Sequence, residues 1–349
     1  MKKLFILLTV SLLLASCSRS PVQPSSTVLQ NASTVYVLNQ GIYGQGNSTL
    51  TAYYPDSNKV ANDVFKTVNG RGLGDTGNDI TIFNGKAYMV INNSDKIEVM
   101  DASTAKSVGT IYYNSGTSPY RIAVYPDQNT GFVTDLYTNT VSVVDLLTNS
   151  LVPADTIPVG ANPYGIAYTS GEVFVANSGY GSGNTVTVID ASTRKVVKTI
   201  TVGAGPTEVE PDGNGNVWVS CPGSYGDIGK VFVIDASTNS VTDSINAGIG
   251  LPSFNGSALA VDPQRDAAYL IADSSIIKLD TKTEQISDAN FISGSFYAIS
   301  VDEATGDIYV ADAKDYKSDG EVYIYSPDGQ FTNRSFTTGI NPGAIAFER

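Results

Sequence analysis

The 349-residue chain contains no histidine. That absence removes Ser-His-Asp and Cys-His nucleophilic catalysis, and with them the commonest transition-metal ligand. Cysteine is nearly as scarce, with only Cys17 and Cys221. Cys221 precedes Pro222, has no histidine to activate it, and reads as a small residue at a strand end. Positive charge is also in short supply: 21 Lys and Arg stand against 34 Asp and Glu, a net charge of −13. Nucleic acid and anionic membrane surfaces are poor partners for such a body. Beyond the first residues, no run approaches the roughly 18 to 20 consecutive apolar residues that a membrane-spanning helix needs. Nothing in the residues calls for a cofactor or a bound metal. Asp312, Asp315 and Asp319 lie close in sequence but lack the glycine and terminal glutamate of an EF-hand loop, so they read as a solvated acidic loop.

What is present begins with a processing signal. Lys2 and Lys3 precede an apolar run from Leu4 to Ala15, followed by Ser16 and Cys17. Leu14-Ala15-Ser16-Cys17 resembles the lipobox of bacterial lipoproteins. The resemblance implies cleavage after residue 16 and acylation of the Cys17 thiol. Each buried acyl methylene contributes roughly 0.8 kcal/mol, and more than one chain makes the attachment to a membrane stable. Residues 17–34 are then the lipidated cysteine and a tether rich in Ser, Pro, Gln and Thr, which suits a flexible linker. The processed chain would carry 19 basic and 34 acidic residues, a net charge of −15. With Cys17 acylated, Cys221 has no partner for an intramolecular disulfide.

Residues 35–349 repeat themselves. Ile97-Glu-Val-Met-Asp-Ala-Ser-Thr104, Val186-Thr-Val-Ile-Asp-Ala-Ser-Thr193 and Val231-Phe-Val-Ile-Asp-Ala-Ser-Thr238 are each a short strand ending in a polar turn. Weaker copies end at Tyr54, Asp145, Asp280 and Ser326, which gives seven markers spaced by 44 to 47 residues. A period of this size, built from short strands, predicts an all-β fold: a seven-bladed β-propeller with four antiparallel strands per blade. One unit reads as Pro163–Tyr168, Glu172–Asn177, Thr185–Asp190 and Val196–Val202, with Val and Ile alternating with Thr and Lys so that one set lies between blades and the other on less buried ground. The body starts at Val35-Tyr-Val-Leu-Asn39, which aligns with the second strand of a unit. The missing first strand is Asn341-Pro-Gly-Ala-Ile-Ala-Phe347. The C-terminal strand is therefore expected to complete the N-terminal blade, removing the exposed edges of an open array.

The units Asn162-Pro-Tyr-Gly-Ile-Ala, Val173-Phe-Val-Ala-Asn-Ser and Asn184-Thr-Val-Thr-Val-Ile-Asp resemble the YVTN-type propeller repeat of bacterial surface-layer-like proteins. A narrower resemblance rests on Asn39-Gln-Gly-Ile-Tyr-Gly-Gln-Gly-Asn-Ser-Thr-Leu and on Asp307-Ile-Tyr-Val-Ala-Asp-Ala-Lys-Asp-Tyr. These look like propeller lipoproteins that capture corrinoids beside a TonB-dependent transporter. That resemblance implies a lipid-anchored binding scaffold at the outer membrane or cell surface, with a corrinoid ligand and a transporter partner.

The five aspartates that recur once per repeat, Asp101, Asp145, Asp190, Asp235 and Asp280, read as caps for backbone N–H groups in turns. Loops between second and third strands hold Tyr43, Tyr137, Tyr180, Tyr225 and Tyr316. Connections from one blade to the next hold Arg71, Tyr120, Tyr164, Phe254, Phe296 and Tyr297. Tyrosine offers a broad apolar ring with a polar tip at low entropy cost. Tyr43, Tyr180, Tyr225 and Tyr316, in long Gly-rich loops, together with Arg71, are the expected ligand-binding residues. Tyr120, Tyr164 and Tyr297 are expected to face the channel mouth. A non-catalytic scaffold for a small molecule is the leading expectation, a protein or glycan scaffold the second, and a histidine-free enzyme the third.

Overall fold

Tight turns set the strand lengths. Ser170-Gly171 and Asn84-Gly85 each join two paired strands with only two residues, and all four take positive φ. This is the backbone a two-residue hairpin requires, and it explains the glycine and the small polar residue at each. Between such turns, runs such as Val173-Phe-Val-Ala176 have the β-branched and aromatic content of a buried strand.

The structure, a computed structural model, describes residues 32–223, 227–252 and 256–349. Among these residues the chain forms seven antiparallel sheets, six following the chain order of a four-strand meander and the seventh, blade 1, combining the C-terminal strand with the first three strands of the chain. The outermost strand of blade 3 is split into Ser150–Leu151 and Ile157–Pro158. Pro342–Glu348 pairs with Thr34–Asn39, with Val35 opposite Phe347 and Val37 opposite Ile345. The C-terminal strand is thus the innermost strand of blade 1, as the repeat phase requires. Innermost strands contact one another in an unbroken ring, which closes the propeller. The processing signal, Cys17, most of the tether, Tyr225 and Phe254 lie outside the described residues.

The core is not one cluster but a layer between every pair of neighbouring blades. Val173 and Val175 pack toward Phe132, Val141 and Val143 of blade 3. Phe174 and Ala176, on the opposite face of the same strand, pack toward Val209, Val217 and Val219 of blade 5. Second and third strands are therefore buried on both faces, and even Thr187 and Ser142 are buried. The expected less-buried face exists only on outermost strands: in Lys195–Thr201, Ile200 alone is buried. The reason is that each sheet is sandwiched between two others.

The recurrent aspartates cap turns as expected. Asp145 accepts from the Leu147 and Thr148 N–H groups at 2.8 and 3.1 Å, and Asp280 from Lys282 and Thr283 at 3.0 and 2.8 Å. These hydrogen bonds hold the carboxyls of Asp101, Asp145, Asp190, Asp235 and Asp280 below their ordinary range.

Candidate functional site

Because the strands alternate, loops joining second to third strands and those joining one blade to the next share one face, here the upper face. Tyr43 of blade 1, Tyr137 of blade 3, Tyr180 of blade 4 and Tyr316 of blade 7 stand on it, 68%, 52%, 47% and 56% exposed. Tyr180 and Tyr137 are hydrogen-bonded; burial, then this bond, raises the Tyr180 phenol, and Tyr43 and Tyr164 are close enough to add to the shift. Tyr180 and Tyr316 both have left-handed backbone, φ 51° and 63°. A bulky side chain there costs roughly 1–2 kcal/mol, so the fold holds two exposed rings in a conformation they do not favour.

Beneath these rings lies a second aromatic tier. Tyr120, Leu136 and Tyr164 form a small buried cluster, with the two rings 4.1 Å apart between centroids. Tyr297 donates to Gln40 Oε1 and meets Tyr316 edge-on at 5.8 Å. The structure places Tyr120, Tyr164 and Tyr297 at the starts of innermost strands or just before them, around the channel mouth.

Below that tier the channel is crossed by Arg121, which is 6% exposed. Its Nη2 donates to Glu208 Oε1 at 3.0 Å and its Nη1 to Ser257 Oγ at 2.8 Å, while Asp79 Oδ1 lies 3.6 Å from Nη1. Burial opposes the guanidinium charge, but the Glu208 and Asp79 carboxylates outweigh it and keep Arg121 cationic. Blades 2, 3 and 5 and the loop entering blade 6 are tied together at this point. These four side chains line a channel cavity of about 420 Å³ whose wall also holds Tyr168, Glu210, Glu303 and Phe347. Burial, then the neighbouring Glu208, pushes the Glu210 carboxyl up to about 8.

Arg71 is placed differently from the tyrosines with which the sequence groups it. Its Nη1 and Nη2 donate to Glu98 at 3.0 and 2.6 Å, Nη2 also donates to Ser107, and the guanidinium lies over the Phe65 ring. Glu98 and Ser107 belong to the third and fourth strands of blade 2, so Arg71 fastens the rim of that blade. Asp312 and Asp315 accept from backbone N–H groups in their own loop. Among the described residues, no group of three His, Cys, Asp or Glu side chains is arranged to hold a metal ion. Burial pushes the Cys221 thiol up to about 12, which leaves it unreactive. No helix of the described residues is long and apolar enough to cross a membrane.

Sequence reasoning selected Tyr43, Tyr180 and Tyr316 from the loops of the upper face, left Tyr137 of the same face out of that selection, and did not notice Arg121. The signal for Arg121 was available: an arginine inside an otherwise apolar innermost strand, Pro119–Tyr125, demands buried partners.

Fold and site together define a class: a seven-bladed propeller with an aromatic upper face above a channel crossed by an ion-paired arginine. Residues 33–339 match the family described as a domain of unknown function, DUF5074, and the chain belongs to that family. Among solved structures it is similar to a quinonprotein alcohol dehydrogenase-like protein from Bacteroides thetaiotaomicron, with 16% identity, a TM-score of 0.69, and 91% of this chain and 79% of that one covered. A protein from Lactobacillus plantarum gives 13% identity and a TM-score of 0.70, with 91% and 100% covered. A proposed 6-phosphogluconolactonase from Bacteroides fragilis gives 11% and 0.68, with 94% and 100% covered. At these identities the likeness shows the fold alone. No curated protein matches the chain.

Proposed function

We propose that this protein is a lipid-anchored scaffold of the outer membrane or cell surface that binds a corrinoid, or a ligand of similar size and mixed polarity, on its upper face without catalysis. The observation that carries the reading is the set of exposed tyrosines from blades 1, 3, 4 and 7, two of them on unfavourable backbone, around one channel mouth. Rings of this kind bury a large apolar area while their hydroxyls meet polar groups, which fits a broad planar ligand with polar edges. Cys17 supplies the lipid anchor to the membrane, and the ligand passes to a TonB-dependent transporter. A non-catalytic role agrees with the channel chemistry: the carboxylates that face Arg121, Asp79 and Glu208, are spent on pairing with it.

Titration of the purified protein with cyanocobalamin, followed by calorimetry, tests this. One-to-one binding that weakens when Tyr43, Tyr137, Tyr180 or Tyr316 is replaced by alanine is expected. Each ring should contribute about 0.5–1.5 kcal/mol beyond its area, roughly three- to ten-fold in affinity. No binding at millimolar ligand overturns the corrinoid reading and favours a protein or glycan partner on the same face.

A further inference from the structure

Blade 3 differs from blades 1 and 4 at one repeated position, the last residue of the second strand. Blades 1 and 4 carry Asn39 and Asn177 there. Each asparagine donates through Nδ2 to two hydroxyls on the adjoining third strand: Asn39 to Thr49 and Thr51, both at 3.1 Å, and Asn177 to Thr185 and Thr187 at 3.0 and 2.9 Å. In blade 3 the residue is Asp135, only 1% exposed. Its two hydroxyl partners occupy the same register, Thr140 at 2.9 Å and Ser142 at 3.0 Å, but an ionised carboxylate can only accept, so here both hydroxyls must donate.

That reversal extends outward in two directions. Thr140 Oγ1, its proton given to Asp135, must accept from Thr138 Oγ1 at 2.8 Å, and Thr138 follows Tyr137 in the loop. Ser142 Oγ, likewise committed, must accept from the Tyr113 phenol 3.3 Å away. If Asp135 is protonated, its own O–H donates to one of these hydroxyls, and the chain on that side turns round. The carboxyl has few means of staying charged. Tyr113, from the connection after blade 2, is the titratable group brought against it; the first strand presents Pro119, the third strand Thr140 and Ser142, and no cation contributes. Burial pushes Asp135 up to about 7, with the two hydroxyl bonds pulling the other way.

We propose that Asp135 is a positioning residue for the Tyr137 loop and that its proton makes the upper aromatic face respond to pH. Tyr137 is the link, because its phenol bonds Tyr180 from the next blade. The same loop is held to blade 4 by Asn162, which donates through Nδ2 to the Leu136 carbonyl and through its N–H to Asn139 Oδ1. A change in loop polarity therefore reaches two of the exposed rings. The consequence for ligand binding rests on the function proposed above; the response of Tyr137 does not.

The test uses the purified protein with 13C-labelled tyrosine, the Tyr137 signal being assigned by Tyr137→Phe. In the wild type, that signal should move through one titration centred near pH 7, and in Asp135→Asn it should stay flat. Cyanocobalamin affinity should likewise depend on pH between 6 and 8 only in the wild type. A Tyr137 signal that does not titrate, or that titrates alike in both proteins, overturns the proposal. If cyanocobalamin fails to bind at every pH, the corrinoid reading falls while the tyrosine titration still decides the role of Asp135. Should Asp135→Asn not fold, 13C-carboxyl labelling of the wild type replaces it. A midpoint for Asp135 below pH 5 then refutes the idea, and one near 7 that coincides with the Tyr137 titration sustains it.

Discussion

The lower face of the propeller is built from nearly the same turn again and again, and the upper face from loops that differ from blade to blade. On the lower side, Asp101, Asp145, Asp190, Asp235 and Asp280 each accept from backbone N–H groups two or three residues on. On the upper side, the connection between second and third strands spans residues 40–48 in blade 1 but only 136–139 in blade 3. The difference separates a repeated structural turn from a surface that varies from blade to blade. A turn chosen for hydrogen bonding has one good solution and repeats it. The binding proposed for the upper face requires the repeat to be broken there, and this face breaks it with exposed aromatic rings, two of them at left-handed backbone positions.

The largest expected effect lies where the upper face meets the channel. Arg121→Met leaves Asp79 and Glu208 as buried carboxyls without a counter-ion. Removing one partner of a buried pair costs about 3–5 kcal/mol, readable as a loss of stability in urea denaturation. That loss should shrink as pH falls toward about 4, because protonated carboxyls need no counter-charge. A loss that is constant with pH would mean the pair does not hold the blades together.

A lower-face substitution should do much less. Asp145→Ala removes two exposed turn hydrogen bonds, worth about 1 kcal/mol at most, and should leave ligand binding untouched. Its sign with pH is opposite to that of a raised carboxyl. The Asp145 pKa is depressed in the folded state, so its contribution is complete above the unfolded value near 4 and is lost as pH falls through the folded value. Melting temperatures of wild type and variant should therefore converge in acid.

The smallest effect on stability, and the sharpest contrast between the faces, is expected at Tyr180. Tyr180→Gly relieves a left-handed backbone that glycine adopts freely, offset by the greater freedom of the unfolded chain, so stability should change by less than about 1 kcal/mol. Ligand affinity should nevertheless fall by about three- to ten-fold. A large fall in melting temperature instead would make Tyr180 a packing residue and erase the contrast between the two faces.

Much of this was legible in the residues themselves. The period between Asp145, Asp190, Asp235 and Asp280 counts the blades, and the match of Asn341–Phe347 to Asn162–Tyr168 gives the closure, because local strand and turn chemistry recurs wherever the chain does. Placing Tyr43, Tyr180 and Tyr316 on one face follows from strand alternation alone. The pairing of Arg71 was not legible, because its partner Glu98 lies 27 residues on, on the third strand of blade 2.

Sequence by itself determined the all-β class, the seven-fold period, the capped turns and the face on which the long loops emerge, since each depends on neighbours along the chain. Only the tertiary structure decided that both faces of the inner strands are buried, that Arg121 joins Asp79, Glu208 and Ser257 across the channel, and that Asp135 sits where blades 1 and 4 place asparagine among hydroxyls. Those features depend on side chains brought together from different blades, and no spacing along the chain encodes which of them will meet.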